Sequence, residues 1–221
     1  MKILYGVQAT GQGHISRARA MAESLEHHPV TVDWLFSGRR RDRLFDMEPF
    51  GNFQHRRGLT FTTANGRVRP LRTLMDNSFL SFMSEARSLD LSGYDLVVTD
   101  FEPVTAWAAK LQGLRSVGIG HQYAFTDEAP RSGDSWWSRL IMRYFAPVEM
   151  GVGLHWHPYS GSTLPPILDL PPPEGIAGNF VLVYLPFEDQ ARVTAWLNQF
   201  PATRFVQYAH GLESGRLDNV L

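Results

Sequence analysis

The first nineteen residues constrain the fold more than any other stretch of the chain. Ile3, Leu4, Tyr5 and Val7 form an apolar run that ends in a short glycine-bearing loop, Gly11-Gln12-Gly13-His14. A helical stripe follows at once in Ile15, Ala18, Ala22 and Leu25. A strand, a glycine loop and a helix in that order open α/β domains, and the free amides at such a helix start favour anions or polar ligand groups. The loop is neither a dinucleotide fingerprint nor a phosphate loop, because His14 follows Gly13 and no Gly-Lys-Ser/Thr run is present. A histidine where a dinucleotide fold carries another glycine points away from dehydrogenases. It points towards group transfer, with His14 as a general base at the edge of a nucleotide-type crevice.

Apolar strands and helices go on alternating, which predicts a Rossmann-like parallel sheet with helices on both faces. Val30–Ser37 reads as the second strand, and Leu59–Thr63 as a strand running into a tight turn at Asn65-Gly66. Leu71, Leu74, Met75, Phe82, Met83, Ala86 and Leu89 keep helical spacing. Asp95–Asp100 is a buried strand ending in an acid. Pro103 opens the next helix, with Val104, Trp107, Ala108 and Leu111 on one face and Gly113 as its stop. Ser116–Gly120 is a further strand, followed by His121-Gln122-Tyr123. An aromatic helix carrying Trp137, Leu140, Ile141, Tyr144 and Phe145 precedes Pro147, and Val152–His157 reads as the last strand of this domain.

Residues 1–163 therefore read as one N-terminal domain and the proline-rich stretch 164–178 as an interdomain linker. Residues 179–221 hold one βαβ unit: strands at Phe180–Leu185 and Thr203–Tyr208 around a helix near Glu188–Gln199. A second Rossmann-type domain needs on the order of 100 residues, so the expectation is a chain that stops inside it.

Composition removes several classes of function. The net charge of −1 gives no general attraction to nucleic acid. With no cysteine there is neither a disulfide framework nor a thiolate metal site, which fits a reducing compartment. The first strand begins at Lys2, leaving no room for a signal peptide, and no apolar run approaches the roughly 20 residues of a spanning helix. The reading is a cytoplasmic protein, with peripheral contact at the inner membrane face left open and the oligomeric state unread.

Two residues stand out as chemistry. His14 lies at a helix start behind a glycine, which leaves its imidazole accessible; the plainer alternative is a polar residue packed on the loop. Asp100 closes a strand of the same sheet, so its carboxylate emerges on the same edge, where it would fix the tautomer of His14 and stabilise an imidazolium. A first-turn acid or cap is the plainer reading of Asp100. Glu102 divides evenly between holding the acceptor and holding the helix end. His121 and Gln122 could line an acceptor pocket, against the alternative of a satisfied loop histidine. His155 and His157 alternate on their strand and share a face, but no third metal ligand is evident and no Asp-x-Asp is present, so no metal site is expected. Arg39, Arg40, Arg41, Arg43, Arg56 and Arg57 read as solvated surface, with an anionic acceptor or lipid head group as the minority reading. Trp136 and Trp137 read as core or domain packing.

Assembled in this order, these residues resemble the glycosyltransferases of the two-Rossmann GT-B architecture. The nearest group is the bacterial and archaeal transferases similar to glucuronosyltransferases and to the lipid-linked-precursor N-acetylglucosamine transferase. The matching stretches are Ala9–Leu25, Ser37–Phe50, Gly58–Val68, Asp95–Gly113 and Gly118–Gln122, with Val181–Glu188 resembling the start of the family's second domain. The resemblance implies a hexosyltransferase that acts with inversion and without metal or other cofactor, moving a sugar from a nucleotide-sugar donor, UDP-sugar by family expectation, to a hydroxyl acceptor. It gives His14 the position of the base and Asp100 that of the acid orienting it, and Gly11, Gln12, Gly13, Glu102, His121 and Gln122 are read beside them as substrate-binding. It also implies that the donor is held by a C-terminal half lying past Leu221. A non-catalytic sugar- or nucleotide-binding module, and a nucleotide-sugar epimerase or hydrolase on the same scaffold, are the alternatives.

Overall fold

The computed structural model describes residues 1–60, 77–125, 136–159, 161–170, 178–186 and 188–209, the backbone of 63–64 and 67–68, and positions 212, 215 and 218–220. By packing, the chain divides into two compact units: Met1–Thr60 with Asn77–Asp169, and Phe61–Asp76 with Leu170–Leu221.

The first unit is built on β1 (Lys2–Gln8), α1 (Gln12–Glu26) and β2 (Thr31–Ser37). Two 3₁₀ turns, Arg41–Arg43 and Glu48–Phe50, lead to the short edge strand β3 (Gln54–His55), which the sequence pattern did not announce. In the second unit β4 (Thr63–Ala64) and β5 (Arg67–Val68) pair antiparallel around positions 65 and 66. That turn, like Leu71, Leu74, Met75 and residues 171–177 of the proline-rich stretch, lies outside the described residues. The first unit continues with α2 (Phe79–Ser88), β6 (Leu96–Asp100), α3 (Pro103–Gln112) and β7 (Ser116–Gly120). It closes with the one-turn α4 (His121–Ala124), α5 (Trp136–Tyr144), β8 (Met150–Leu154) and β9 (Thr163–Leu164).

Seven strands form one parallel sheet in the order β3-β2-β1-β6-β7-β8-β9. Strand alternation gives each face its own core. Ile3, Tyr5, Val7, Trp34 and Phe36 pack with Ile15, Ala18 and Ala22 of α1 on one side. Leu4, Leu35 and Val97 pack with Phe82 of α2 and with Val104 and Ala108 of α3 on the other. Helices thus cover both faces of a Rossmann-like sheet. Each fully buried Tyr5, Phe36 or Phe82 contributes roughly 1.5–3 kcal/mol, far more than helix propensity at any single position. The strand order reverses beside β1: β2 and β3 lie on one flank, β6 and its successors on the other. The C-terminal ends of β1 and β6 therefore flank the crevice where open α/β sheets bind ligands.

Three sequence readings need correction. Leu111 is not on the buried face of α3; it is 45% exposed, and Ala109 takes the inward position instead. Trp136 is exposed and not packed in a core, whereas the Trp137 side chain lies outside the description. The strand read as Val152–His157 ends at Leu154, and β9, not this strand, closes the sheet. His155 donates its backbone N–H to the Leu164 carbonyl at 2.9 Å, just beyond the strand end. His155 and His157 therefore do not sit in strand alternation, and among the described residues no three metal-ligating side chains gather.

The second unit carries β10 (Val181–Val183), α6 (Gln190–Leu197) and β11 (Phe205–Gln207), the two strands pairing parallel. Asp189 caps α6 by accepting from the Arg192 amide at 3.2 Å. Val193, Leu197, Phe205 and Val220 make its small core, and Leu182, Trp196 and Tyr208 stay exposed. Among the described residues no helix is long and apolar enough to cross a membrane.

Candidate active site

The loop from β1 to α1 is held from beneath. Ala9 donates its amide to the Ser37 carbonyl at 2.8 Å, and the Thr10 hydroxyl donates to the Gly38 carbonyl at 3.3 Å. The Gln8 amide nitrogen reaches the Leu59 carbonyl at 2.9 Å, and Arg39 donates to the Thr10 carbonyl at 3.0 Å. Gly11 is the N-cap of α1 in extended conformation and offers no side-chain cap, and the first turn has no acid. The leading amides of α1 are therefore left for water or a ligand. Gly13 is exposed, and a Cβ there would meet nothing within 4 Å. The surface over the helix start is bare.

As the third residue of that helix, His14 turns towards β6. Its Nδ1 lies 2.8 Å from Asp100 Oδ1, and the two side chains are 16% and 0% exposed. Register makes the meeting unavoidable, since Asp100 sits opposite Val7, at the end of the strand that leads into the loop. With Nδ1–H donated to the carboxylate, the neutral imidazole carries its lone pair on Nε2. Among the described residues Nε2 has no hydrogen-bond partner.

Arg17, which the sequence reading did not single out, completes the cluster. Its Nε donates to Asp100 Oδ2 at 2.8 Å and its Nη2 to Oδ1 at 2.6 Å, a fork on both carboxylate oxygens. Nη2 also lies 3.1 Å from His14 Nδ1. The available signal was the spacing: residues three apart on a helix share a face, so an arginine at 17 accompanies a histidine at 14. Burial pushes the Asp100 carboxyl up, but the His14 imidazole and the Arg17 guanidinium outweigh it and hold the group below the ordinary carboxylate range. Burial opposes the Arg17 charge as well, and Asp100 more than restores it. Tyr5, stacked on Trp34 and fully buried beneath this cluster, has its phenol pushed well up, chiefly by burial and then by Asp100.

Two residues further on, Glu102 has a different fate. Phe101 adopts φ 53° between them, a left-handed conformation that costs a non-glycine residue about 1 kcal/mol. Its ring stacks on Phe145 at 5.0 Å. The turn sends Glu102 into the protein and away from the crevice. Its Oε1 accepts from the Val104 amide at 2.8 Å and from the Ser37 hydroxyl. Its Oε2 accepts from the Thr105 amide at 2.6 Å and the Thr105 hydroxyl at 2.7 Å. The side chain is 0% exposed, so the helix end, not an acceptor, occupies it. Burial pushes this carboxyl up against all four hydrogen bonds.

His121 and Gln122 separate. A Cβ on Gly120 would stand 3.2 Å from both Asp100 Oδ1 and Gln122 Oε1, so the Gln122 carbonyl sits beside the cluster. That oxygen is buried with no partner in the described structure. His121 turns the other way: its Nδ1 donates to the Leu154 carbonyl at 3.0 Å, and its ring stacks on His155 and meets Phe125 edge-on. Glycines allow α4 this close to the sheet, for a Cβ on Gly118 would run into the Tyr123 ring. The arginine run is dispersed: Arg39 reaches back to the loop, Arg40 pairs with Asp42, and Arg41 lies over the Phe53 ring.

The fold recurs in solved glycosyltransferase structures. SnogD from Streptomyces nogalater matches with a TM-score of 0.54 and 16% identity, covering 100% of this chain and 71% of its own. Arabidopsis thaliana UGT89C1 complexed with UDP matches with a TM-score of 0.53 and 12% identity, over 98% of this chain and 66% of its own. Acinetobacter baumannii MurG gives a TM-score of 0.48 and 12% identity, over 93% of this chain and 60% of its own. The chain thus spans 60–71% of the length of these structures. No curated protein sequence matches it. The family model for glycosyl transferase family 1 matches residues 1–219, and with that match running through both units the chain belongs to this glycosyltransferase family.

Proposed function

We propose that this chain is the acceptor-side part of a glycosyltransferase that moves a sugar from a nucleotide-sugar to a hydroxyl, with inversion and without a metal. The observation that carries the reading is the His14–Asp100 contact of 2.8 Å at the switch point of the sheet, beside an uncapped helix start. Nε2 of His14 takes the proton of the acceptor hydroxyl as its oxygen attacks the anomeric carbon. The bond from that carbon to the diphosphate oxygen breaks and the electron pair leaves with the diphosphate. Asp100 holds the tautomer and balances the imidazolium. Gln122 and the uncapped amides at the start of α1, around Gly11, Gln12 and Gly13, would supply polar contacts to the substrates. The UDP named in the UGT89C1 complex supports a uridine nucleotide as donor carrier, and the cysteine-free composition supports a cytoplasmic site of action.

The test is transfer by the full gene product, with UDP-sugars and a panel of hydroxyl acceptors. His14→Ala is expected to lower kcat on the order of 10²–10⁴-fold with little loss of stability. Unchanged turnover would remove His14 from the chemistry. Release of free sugar without acceptor product would mark a hydrolase, and donor binding without turnover a binding module.

A further inference from the structure

Arg17 belongs to the reaction as much as to the fold. The geometry points to Arg17 as a positioning residue that holds the Asp100 carboxylate by both oxygens and shares the counter-charge that His14 would otherwise have to itself, an inference that rests on the proposed role of His14 as base. A histidine paired with a lone buried carboxylate has its counter-charge to itself, and the pair reaches neutrality only when the imidazole is protonated. Here Asp100 is shared: Arg17 forks it at 2.8 and 2.6 Å, while His14 contacts only Oδ1 at 2.8 Å. Carboxylate and guanidinium cancel in charge. A proton on His14 would place two cations 3.1 Å apart on one carboxylate.

The other groups around the cluster do not alter this balance. From β1 and α4 it is faced by the phenols of Tyr5 and Tyr123, both pushed up by burial and so uncharged near neutrality. From the β7 end it is faced by the neutral Gln122 amide. Glu102 is turned behind the sheet edge to Ser37 and Thr105. Arg39, on the loop side, is engaged with the Thr10 carbonyl and the Gln12 side chain. Arg17 and Asp100 are thus the charged side chains in contact with His14 among the described residues. The fork has a second consequence. Two bonds on a planar carboxylate fix its rotation, so Oδ1 is held where the Nδ1–H of His14 points.

The experiment is an NMR titration of the His14 ring proton, assigned with His14→Gln, in the wild-type chain, Arg17→Met and Arg17→Lys. It needs no turnover, so it reads the inference even if the glycosyltransferase reading fails. Loss of the charge in Arg17→Met is expected to raise the titration midpoint by about one pH unit or more, because a like charge at this distance disfavours protonation. Arg17→Lys keeps the charge without the fork, and its midpoint should stay within a few tenths of wild type. In transfer assays the acid limb of kcat should move up with the midpoint in Arg17→Met, while Arg17→Lys lowers kcat at an unmoved limb. If Arg17→Met does not fold, Arg17→Gln carries the same expectation, since it keeps a donor and drops only the charge. A midpoint that stays or falls when the charge is removed overturns the inference and leaves Arg17 as a tie between α1 and β6.

Discussion

Two helices of the first unit start at the same edge of the same sheet, and they start in opposite ways. α1 follows β1 through Gly11, with no side-chain cap and no acid in its first turn. α3 follows β6 through Glu102, whose carboxylate takes the Val104 and Thr105 amides, with Pro103 filling the next position. The α3 start is satisfied from within; the α1 start is left open, and beside it sits an imidazole with one nitrogen in use and one without a partner among the described residues. The buried acids follow the same division. Asp100 faces His14 and Arg17 of α1 and is held low, while Glu102 faces neutral donors and is pushed up by burial. A closed start serves stability. An open start costs stability and has to be useful.

The largest test of this contrast is the ranking of two truncations. Asp100→Ala strands the mostly buried Arg17 guanidinium and should cost about 3–5 kcal/mol of unfolding free energy, as breaking a buried ion pair does. Glu102→Ala removes a cap and leaves two amides unmet, which should cost about 1–3 kcal/mol. Urea denaturation of both variants gives the order. If Glu102→Ala proves the more damaging, the Arg17 fork is weaker than its distances suggest.

The difference between the two starts was only half legible in the sequence. The glycine loop announced an open helix start, and the order of strands and helices announced the sheet, because both depend on local patterns. Apolar periodicity placed α1, β2, β6, α3 and β7 to within a residue or two. It failed at β3 and β9, two-residue edge strands too short to carry an alternation. Strand periodicity also ran on through His155 and His157, although pairing stops at Leu154. His14 and Asp100 could be assigned to one edge of a sheet, but their adjacency needs β1 next to β6, a matter of strand order that no local pattern records. Glu102 was ambiguous for a similar reason. Its direction depends on the left-handed turn at Phe101, a conformation a phenylalanine does not advertise.

A smaller effect comes from acid, and the two carboxylates should respond with opposite signs. The folded-state value of Asp100 lies below the unfolded one, about 3.9. Its contribution to stability is therefore full above that value and is lost as pH falls through it towards the folded value. Glu102 is raised above its unfolded value of about 4.3, so the folded state prefers it protonated and gives up stability as pH rises from there. Against wild type, the deficit of Asp100→Asn should shrink below about pH 4. Glu102→Gln should instead gain on wild type as pH rises above that region. Urea midpoints across this range check both signs, and parallel curves for the two variants would mean that the acids do not differ as described.

The smallest expected change in stability separates fold from function most cleanly. Gly13 is the second residue of α1, its backbone is not left-handed, and a Cβ there would meet nothing within 4 Å. The fold therefore does not need a glycine at this position, in contrast to Gly118, where a methyl would displace the Tyr123 ring. Gly13→Ala should leave the chain as stable as before or more stable by up to about 1 kcal/mol, through helix propensity and a less flexible unfolded chain. That is a rise in Tm of at most about 2–4 °C for a protein of this size. The same methyl would stand over the leading amides of α1 beside His14, and transfer by the full gene product should fall about tenfold, the equivalent of one lost hydrogen bond to a charged group. A variant that is both more stable and less active would show that Gly13 keeps space for a ligand. If activity is retained, the open start of α1 is not where the reacting groups sit, and the contrast with α3 is only a difference in capping.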